Sequence, residues 1–191
     1  MRGILYLALI AALAPALNGC VAVVAAGAAT AVMVADDRRK AGAYVDDEEI
    51  ELRGLKRLHE AFPHAAVSVS VTSYNHNVLL TGQAPDDATK ARVEEVIKGV
   101  PKVRKVYNEV AVSGVTSYTS EANDSSITTK VKTRLMDSKK GVSFNHVKVV
   151  TEAGVVYLMG LLTHAEADKA AEVAATSGGV VKVVKVIEYT D

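Results

Sequence analysis

Val67-Ser68-Val69-Ser70-Val71-Thr72-Ser73-Tyr74-Asn75-His76-Asn77-Val78-Leu79-Leu80-Thr81-Gly82 is the stretch that decides the fold. Residues 67–72 alternate strictly between valine and a hydroxyl side chain, the period of two of a strand with one face on a core and one face in water. The polar turn 73–77 leads into a second strand, 78–82. Ahead of this pair, 46–62 reads as a charged amphipathic helix, with Ile50, Leu55, Leu58 and Phe62 marking its buried side, Gly54 a local weakness and Pro63 closing it. Behind the pair, Pro85-Asp86-Asp87 opens a helix with negative charge in its first turn, where the helix dipole favours it. Val93, Val96, Ile97 and Val100 line one face of that helix, Gly99 ends it, and 103–112 forms a third strand.

The whole order then repeats. Asp47, Ile50, Arg57 and Leu58 match Asp124, Ile127, Arg134 and Leu135, each 77 positions on. Val69, Val71, Leu80 and Gly82 match Val147, Val149, Leu158 and Gly160 at an offset of 78, and Val100, Lys102, Val103, Lys105 and Val106 match Val180, Lys182, Val183, Lys185 and Val186 at 80. A slowly growing offset means two homologous units separated by small loop insertions. Thr163-His164-Ala165-Glu166 has the capping-box form at the start of the second copy's second helix. The expected fold class is α+β, two tandem α-β-β-α-β domains over 46–112 and 124–191, joined by a Ser-, Thr- and Gly-rich linker at 113–123. In each, the tight turn makes the first two strands antiparallel, and the helical crossover brings the third alongside in parallel. Two helices then pack on one face of a three-stranded mixed sheet. Ser68, Ser70 and Thr72 predict that the opposite face is open and polar.

The N-terminus is of another kind. Met1 and Arg2, the apolar run 4–17 and Leu17-Asn18-Gly19-Cys20 form a secretory signal that ends on the only cysteine in the chain. That stretch resembles the lipobox of bacterial lipoproteins, with Asn18 where the family prefers a small or aliphatic residue. The resemblance implies diacylglycerol on the Cys20 sulfur, removal of 1–19 and acylation of the new amino terminus, leaving 20–45 as a lipidated tether. The segment 21–35 is apolar but shorter than the about 20 residues a spanning helix needs. The rival reading is an uncut signal anchor over 3–35, which Pro15, Gly19 and Gly27 would interrupt. With 22 basic and 22 acidic residues the net charge is zero, so no global field draws the chain to nucleic acid. A single cysteine also leaves no internal disulfide to stabilise the exported domains.

Catalytic constellations are missing: the sequence has no Gly-rich phosphate loop, nucleophile elbow or His-Glu-x-x-His motif. His59, His64, His76, His146 and His164 lack ligand spacing, so neither a metal nor another cofactor is expected, and no small-molecule substrate. Asp46-Asp47-Glu48-Glu49 reads as a helix N-terminal charge set, and Asp86-Asp87 likewise. The second copy's first helix is richer. Lys130, Lys132, Arg134, Lys139 and Lys140 lie on it or just after it, with Asp137 the one acid among them, while Ile127, Val131 and Leu135 recur at i, i+4 and i+8. Two readings fit: a core-facing helix with a solvated basic back, or an apolar stripe bordered by a cationic one that meets a membrane.

The valine strands, Leu80-Thr81-Gly82 and Leu158-Met159-Gly160, Gly99-Val100 and Gly179-Val180, and Val106-Tyr107-Asn108-Glu109-Val110 together resemble the BON domain. With a lipobox ahead of two copies, the chain is similar to dual-BON outer-membrane lipoproteins over essentially its whole length. The resemblance implies a lipid-anchored protein facing the periplasm that supports envelope integrity. Its implied partner is an anionic, phosphatidylglycerol-like phospholipid, held by Ile127, Lys130, Val131, Arg134, Leu135, Lys139 and Lys140. Ser126 stands where related sequences carry a tryptophan before the Ile-Thr-Thr-Lys run. The alternative implied role is a protein-binding adaptor for outer-membrane assembly proteins. Val21 after the lipidated cysteine, in place of the aspartate that marks inner-membrane retention, points to the outer membrane.

Overall fold

The computed structural model describes residues 37–63, 67–113, 118–137 and 141–191. Cys20, the signal and most of the tether lie outside the described residues, as do Lys139 and Lys140. The first copy runs α1 (Ala41–Ala61), β1 (Ser68–Tyr74), β2 (Asn77–Ala84), α2 (Asp87–Lys98), β3 (Lys105–Asn108) and a short β4 (Ala111–Val112). The second runs α3 (Tyr118–Leu135), a 3-10 turn at Phe144–His146, β5 (Val147–Glu152), β6 (Val155–Leu162), α4 (His164–Ala175) and β7 (Lys182–Tyr189).

Both sheets have the expected topology. β1 and β2 pair antiparallel with Val71 opposite Leu80, and β5 and β6 do the same with Val149 opposite Leu158. The crossover strands lie parallel to the central ones, Val106 beside Val78 and Val183 beside Val156. The third strand of the first copy breaks in two because the Asn108 side chain captures the N–H of Val110 at 3.3 Å and donates to Lys90 O and Glu94. β4 then resumes beside β2. α3 begins at Tyr118, inside the segment whose Ser and Thr content reads as a linker, since those residues have only modest helix propensity.

The helices cover one face of each sheet. Ile50, Leu58, Val71, Val78, Leu80, Val93 and Ile97 build the first core, and Ile127, Val131, Leu135, Val149, Val156, Leu158 and Val173 the second. Leu55 departs from its expected place and is 46% exposed. Gly54 faces inward in its stead: a Cβ there would lie 3.1 Å from both Ile97 and Val71, so α1 comes closest to the sheet at a residue without a side chain. The glycine read as a weak point is a close-packing point.

The open polar face is corrected by the structure. Ser68 and Ser70 are exposed, but Tyr74, Leu79 and Thr81 on the same side of the sheet are buried. Tyr74 and Leu79 of the first copy pack with Tyr157, Met159 and Val186 of the second, so the two sheets meet along an apolar seam. Polar contacts rim it. Lys148 donates to Glu51 at 2.7 Å and to Ser73 O at 3.2 Å, and Glu188 accepts from Asn75, Asn77 and Arg104 at 2.9, 3.1 and 2.7 Å. Burial, followed by the negative charges of Glu109 and Glu152, pushes the Tyr157 phenol up to about 12, so it is neutral at physiological pH. The seam is written in the unbroken apolar runs 78–80 and 155–159, since strands buried on both faces lose their alternation.

Candidate membrane-binding surface

The repeat-matched polar residues turn out to be architectural. Asp47, in the second turn of α1 and almost fully buried, accepts Ser73 Oγ at 2.7 Å and the backbone N–H of Asn75 and His76 at 2.7 and 2.8 Å. Asp124 on α3 accepts the N–H of Ala153 and Gly154 at 2.7 and 2.8 Å. Each aspartate therefore ties a helix to the hairpin turn of its own domain. Their shared offset was visible in the sequence, but their acidic neighbours made Asp47 look like part of a helix-start cluster. That cluster is split: Asp46 and Glu49 both receive Lys102, at 2.6 and 2.9 Å, and Asp46 also contacts His76 at 3.1 Å. Hydrogen bonds from Lys102 hold both carboxyls below their usual range. The other helix starts behave as expected. Asp86 caps α2 by accepting Thr89 N–H at 2.6 Å, and Thr163 and Glu166 form the reciprocal capping box of α4.

Arg134 belongs to the same class of residue. Its guanidinium donates to Val173 O at 2.9 Å, Ser177 Oγ at 2.7 Å and Thr176 Oγ1 at 2.9 Å, closing the C-terminal end of α4 where a cation is favoured. Arg57 does the matching work in the first copy, donating to Gly99 O at the end of α2. Ile127, Val131 and Leu135 are essentially inaccessible within the second core. Their i, i+4, i+8 spacing points them at the sheet, so as a lipid-contacting stripe they are corrected to core residues.

The exposed side of α3 carries the cationic feature that remains. Lys130 and Lys132 are exposed, as are Ser125, Ser126, Thr129 and Thr133. Thr129, Lys130, Thr133, Arg134, Thr176 and Gly178 line an open groove of about 410 Å³ between α3 and the end of α4, and among the described residues no carboxylate lines it. A groove with an ammonium, a partly exposed guanidinium and threonine hydroxyls offers donors to an anionic oxygen cluster. Among the described residues no three His, Cys, Asp or Glu side chains are grouped to hold a metal ion, and no helix is long and apolar enough to cross a membrane.

Two α-β-β-α-β domains joined through their sheets define a tandem-domain α+β protein. The BON domain model matches residues 46–114 and 123–191, and the chain belongs to the BON domain family. It is 40% identical over 176 residues to the outer membrane lipoprotein DolP of Haemophilus influenzae, covering 92% of this chain and 91% of the relative. It is also 40% identical over 154 residues to a 21 kDa hemolysin of Actinobacillus pleuropneumoniae, covering 80% and 79%. Osmotically-inducible protein Y of Escherichia coli is 29% identical over 144 residues, covering 74% and 71%. The chain is thus a lipid-anchored outer-membrane lipoprotein with two BON domains, as the lipobox resemblance implies.

Proposed function

We propose that this lipoprotein faces the periplasm, held by lipid on Cys20, and binds anionic phospholipid of the phosphatidylglycerol type through the exposed side of α3, in support of envelope integrity and without catalysis. The groove around Lys130, lined among the described residues by Thr129, Thr133, Arg134 and Thr176 and by no carboxylate, carries the reading. α1, its counterpart in the first copy, places Glu48, Glu49 and Glu60 among its basic residues, and an anionic bilayer repels that mixture relative to α3. Attachment through Cys20 supplies one membrane signal and the groove a second, reversible one.

The test is flotation of the chain from residue 20, with Cys20→Ser to remove the anchor, on vesicles containing phosphatidylglycerol at low salt. Lys130→Glu removes one positive charge and adds a negative one, at about 1 kcal/mol per basic residue near such a surface, and should largely abolish flotation. Lys56→Glu should leave it unchanged. Arg134 is unsuited to this experiment because its loss breaks the α3–α4 junction. A second reading, an adaptor for outer-membrane assembly proteins, is favoured by exposed Val45, Leu52 and Leu55 on α1. A Cys20→Ser chain with Lys130 intact that stays with the soluble fraction at low salt would decide for the adaptor.

A further inference from the structure

Arg38 and Arg39 stand where the N-terminal stretch gives way to the folded body, and the two neighbours reach into different domains. Arg38 forms a two-pronged pair with Glu166, Nη1 to Oε2 at 2.7 Å and Nη2 to Oε1 at 2.6 Å, and donates to Leu161 O at 3.1 Å. It therefore holds the end of β6 and the first turn of α4, both in the second domain. The Arg38 hydrogen bond is the main reason that the Glu166 carboxyl is lowered to about 2. Arg39 turns the other way. It donates to Asp47 at 2.9 Å, the pair only 8% and 2% exposed, and its guanidinium lies 4.2 Å from the ring centre of Tyr74 and 4.9 Å from that of Tyr44. Tyr74 is itself a seam residue.

Consecutive Cα atoms are about 3.8 Å apart, so both grips can be made together only while the two domains sit as they do here. The arginine fork and the planar stacking are geometry-specific, which a lysine in either place would not reproduce. Beside the two grips an open cleft of about 570 Å³ runs between the domains, bordered by Arg38, Lys40, Asn75, Arg104, Leu161 and Glu188. The seam is therefore not sealed at this end by apolar packing, and the arginine pair spans it.

We propose that Arg38-Arg39 is a clasp that keeps the two BON domains closed over their seam, at the point where the lipid tether joins the body. Each arginine secures one domain, and losing Arg38, whose grip lies at the surface, should open the seam and leave the separate cores intact. The clasp does not depend on what α3 binds.

Two methionines make this measurable in the full mature chain. Met159 lies in the seam at 1% exposure, and Met136 after α3 is 59% exposed and serves as an internal reference. Peroxide oxidation followed by peptide mass spectrometry should show Met159 reacting roughly tenfold faster in Arg38→Ala than in wild type, as local opening exposes it, with Met136 unchanged. Glu166→Gln keeps a side chain that serves the capping box but loses the ion pair, so it should match Arg38→Ala, and the double variant should be no faster than either. Arg53→Ala, which removes an exposed pair with Glu49 elsewhere on α1, should behave as wild type. Arg39→Ala strands a buried carboxylate and destabilises the first domain, so the surface pair Arg38 and Glu166 supplies the deciding variants. Wild-type protection of Met159 in a natively folded Arg38→Ala chain overturns the clasp. Equal acceleration in Arg53→Ala also overturns it.

Discussion

The hairpin turns of the two domains meet the same backbone demand with different residues. In the second domain the turn uses Ala153 and Gly154, at φ of 50° and 77°, and Asp124 accepts both N–H groups. In the first, Asn75 and His76 take φ of 50° and 64°, and Asp47 accepts both N–H groups together with Ser73 Oγ and the Arg39 guanidinium. Glycine adopts a positive φ freely, whereas histidine does not. The first domain therefore leans harder on its aspartate, and through Arg39 on the segment that leads to the membrane. One repeat, duplicated, has kept the carboxylate and changed its load.

The largest test of that difference is Asp47→Ala. It takes the buried carboxylate away from the Arg39 guanidinium and from several turn donors, and should cost about 3–5 kcal/mol in urea denaturation. Asp124→Ala leaves two backbone donors and should cost about 1–3 kcal/mol. Equal losses would break the comparison. The helix-end arginines reverse the ranking. Arg134→Ala removes three hydrogen bonds from the end of α4 and should cost about 1.5–3 kcal/mol, more than Arg57→Ala at the end of α2.

Acid should find the second domain through Glu166. Its carboxyl is lowered from 4.5 to about 2 in the folded chain, so the stability it contributes is complete above about pH 4.5 and is lost as pH falls toward 2. Glu166→Gln should flatten that limb of an acid titration followed by circular dichroism. The smallest expected effect is that of Lys130→Ala, within about 0.5 kcal/mol of wild type by the same urea measurement, because an exposed lysine with no structural duty contributes little. A larger loss would mean that Lys130 is architectural, like Arg134.

Sequence by itself determined the elements, their order and the duplication. Strict alternation in 67–72, the acidic helix start at Asp86-Asp87, the capping box from Thr163, and the matched positions at offsets of 77 to 80 are local or periodic signals, and such signals survive without knowledge of what lies across the chain. The lipobox and the basic run on α3 were legible for the same reason. Tertiary structure alone decided which charged residues are free. Arg134 and Lys130 are one helical turn apart and look alike in sequence, yet Arg134 is taken up by the end of α4, over 35 residues away in the chain, and Lys130 is not. Likewise Ser68 and Ser70 promised a polar sheet face, and the seam covers the rest of that face because a second, homologous sheet offers Tyr157 and Met159 to it. Whether a polar or apolar surface stays exposed depends on its partner's shape and position, and those are properties of the folded pair of domains.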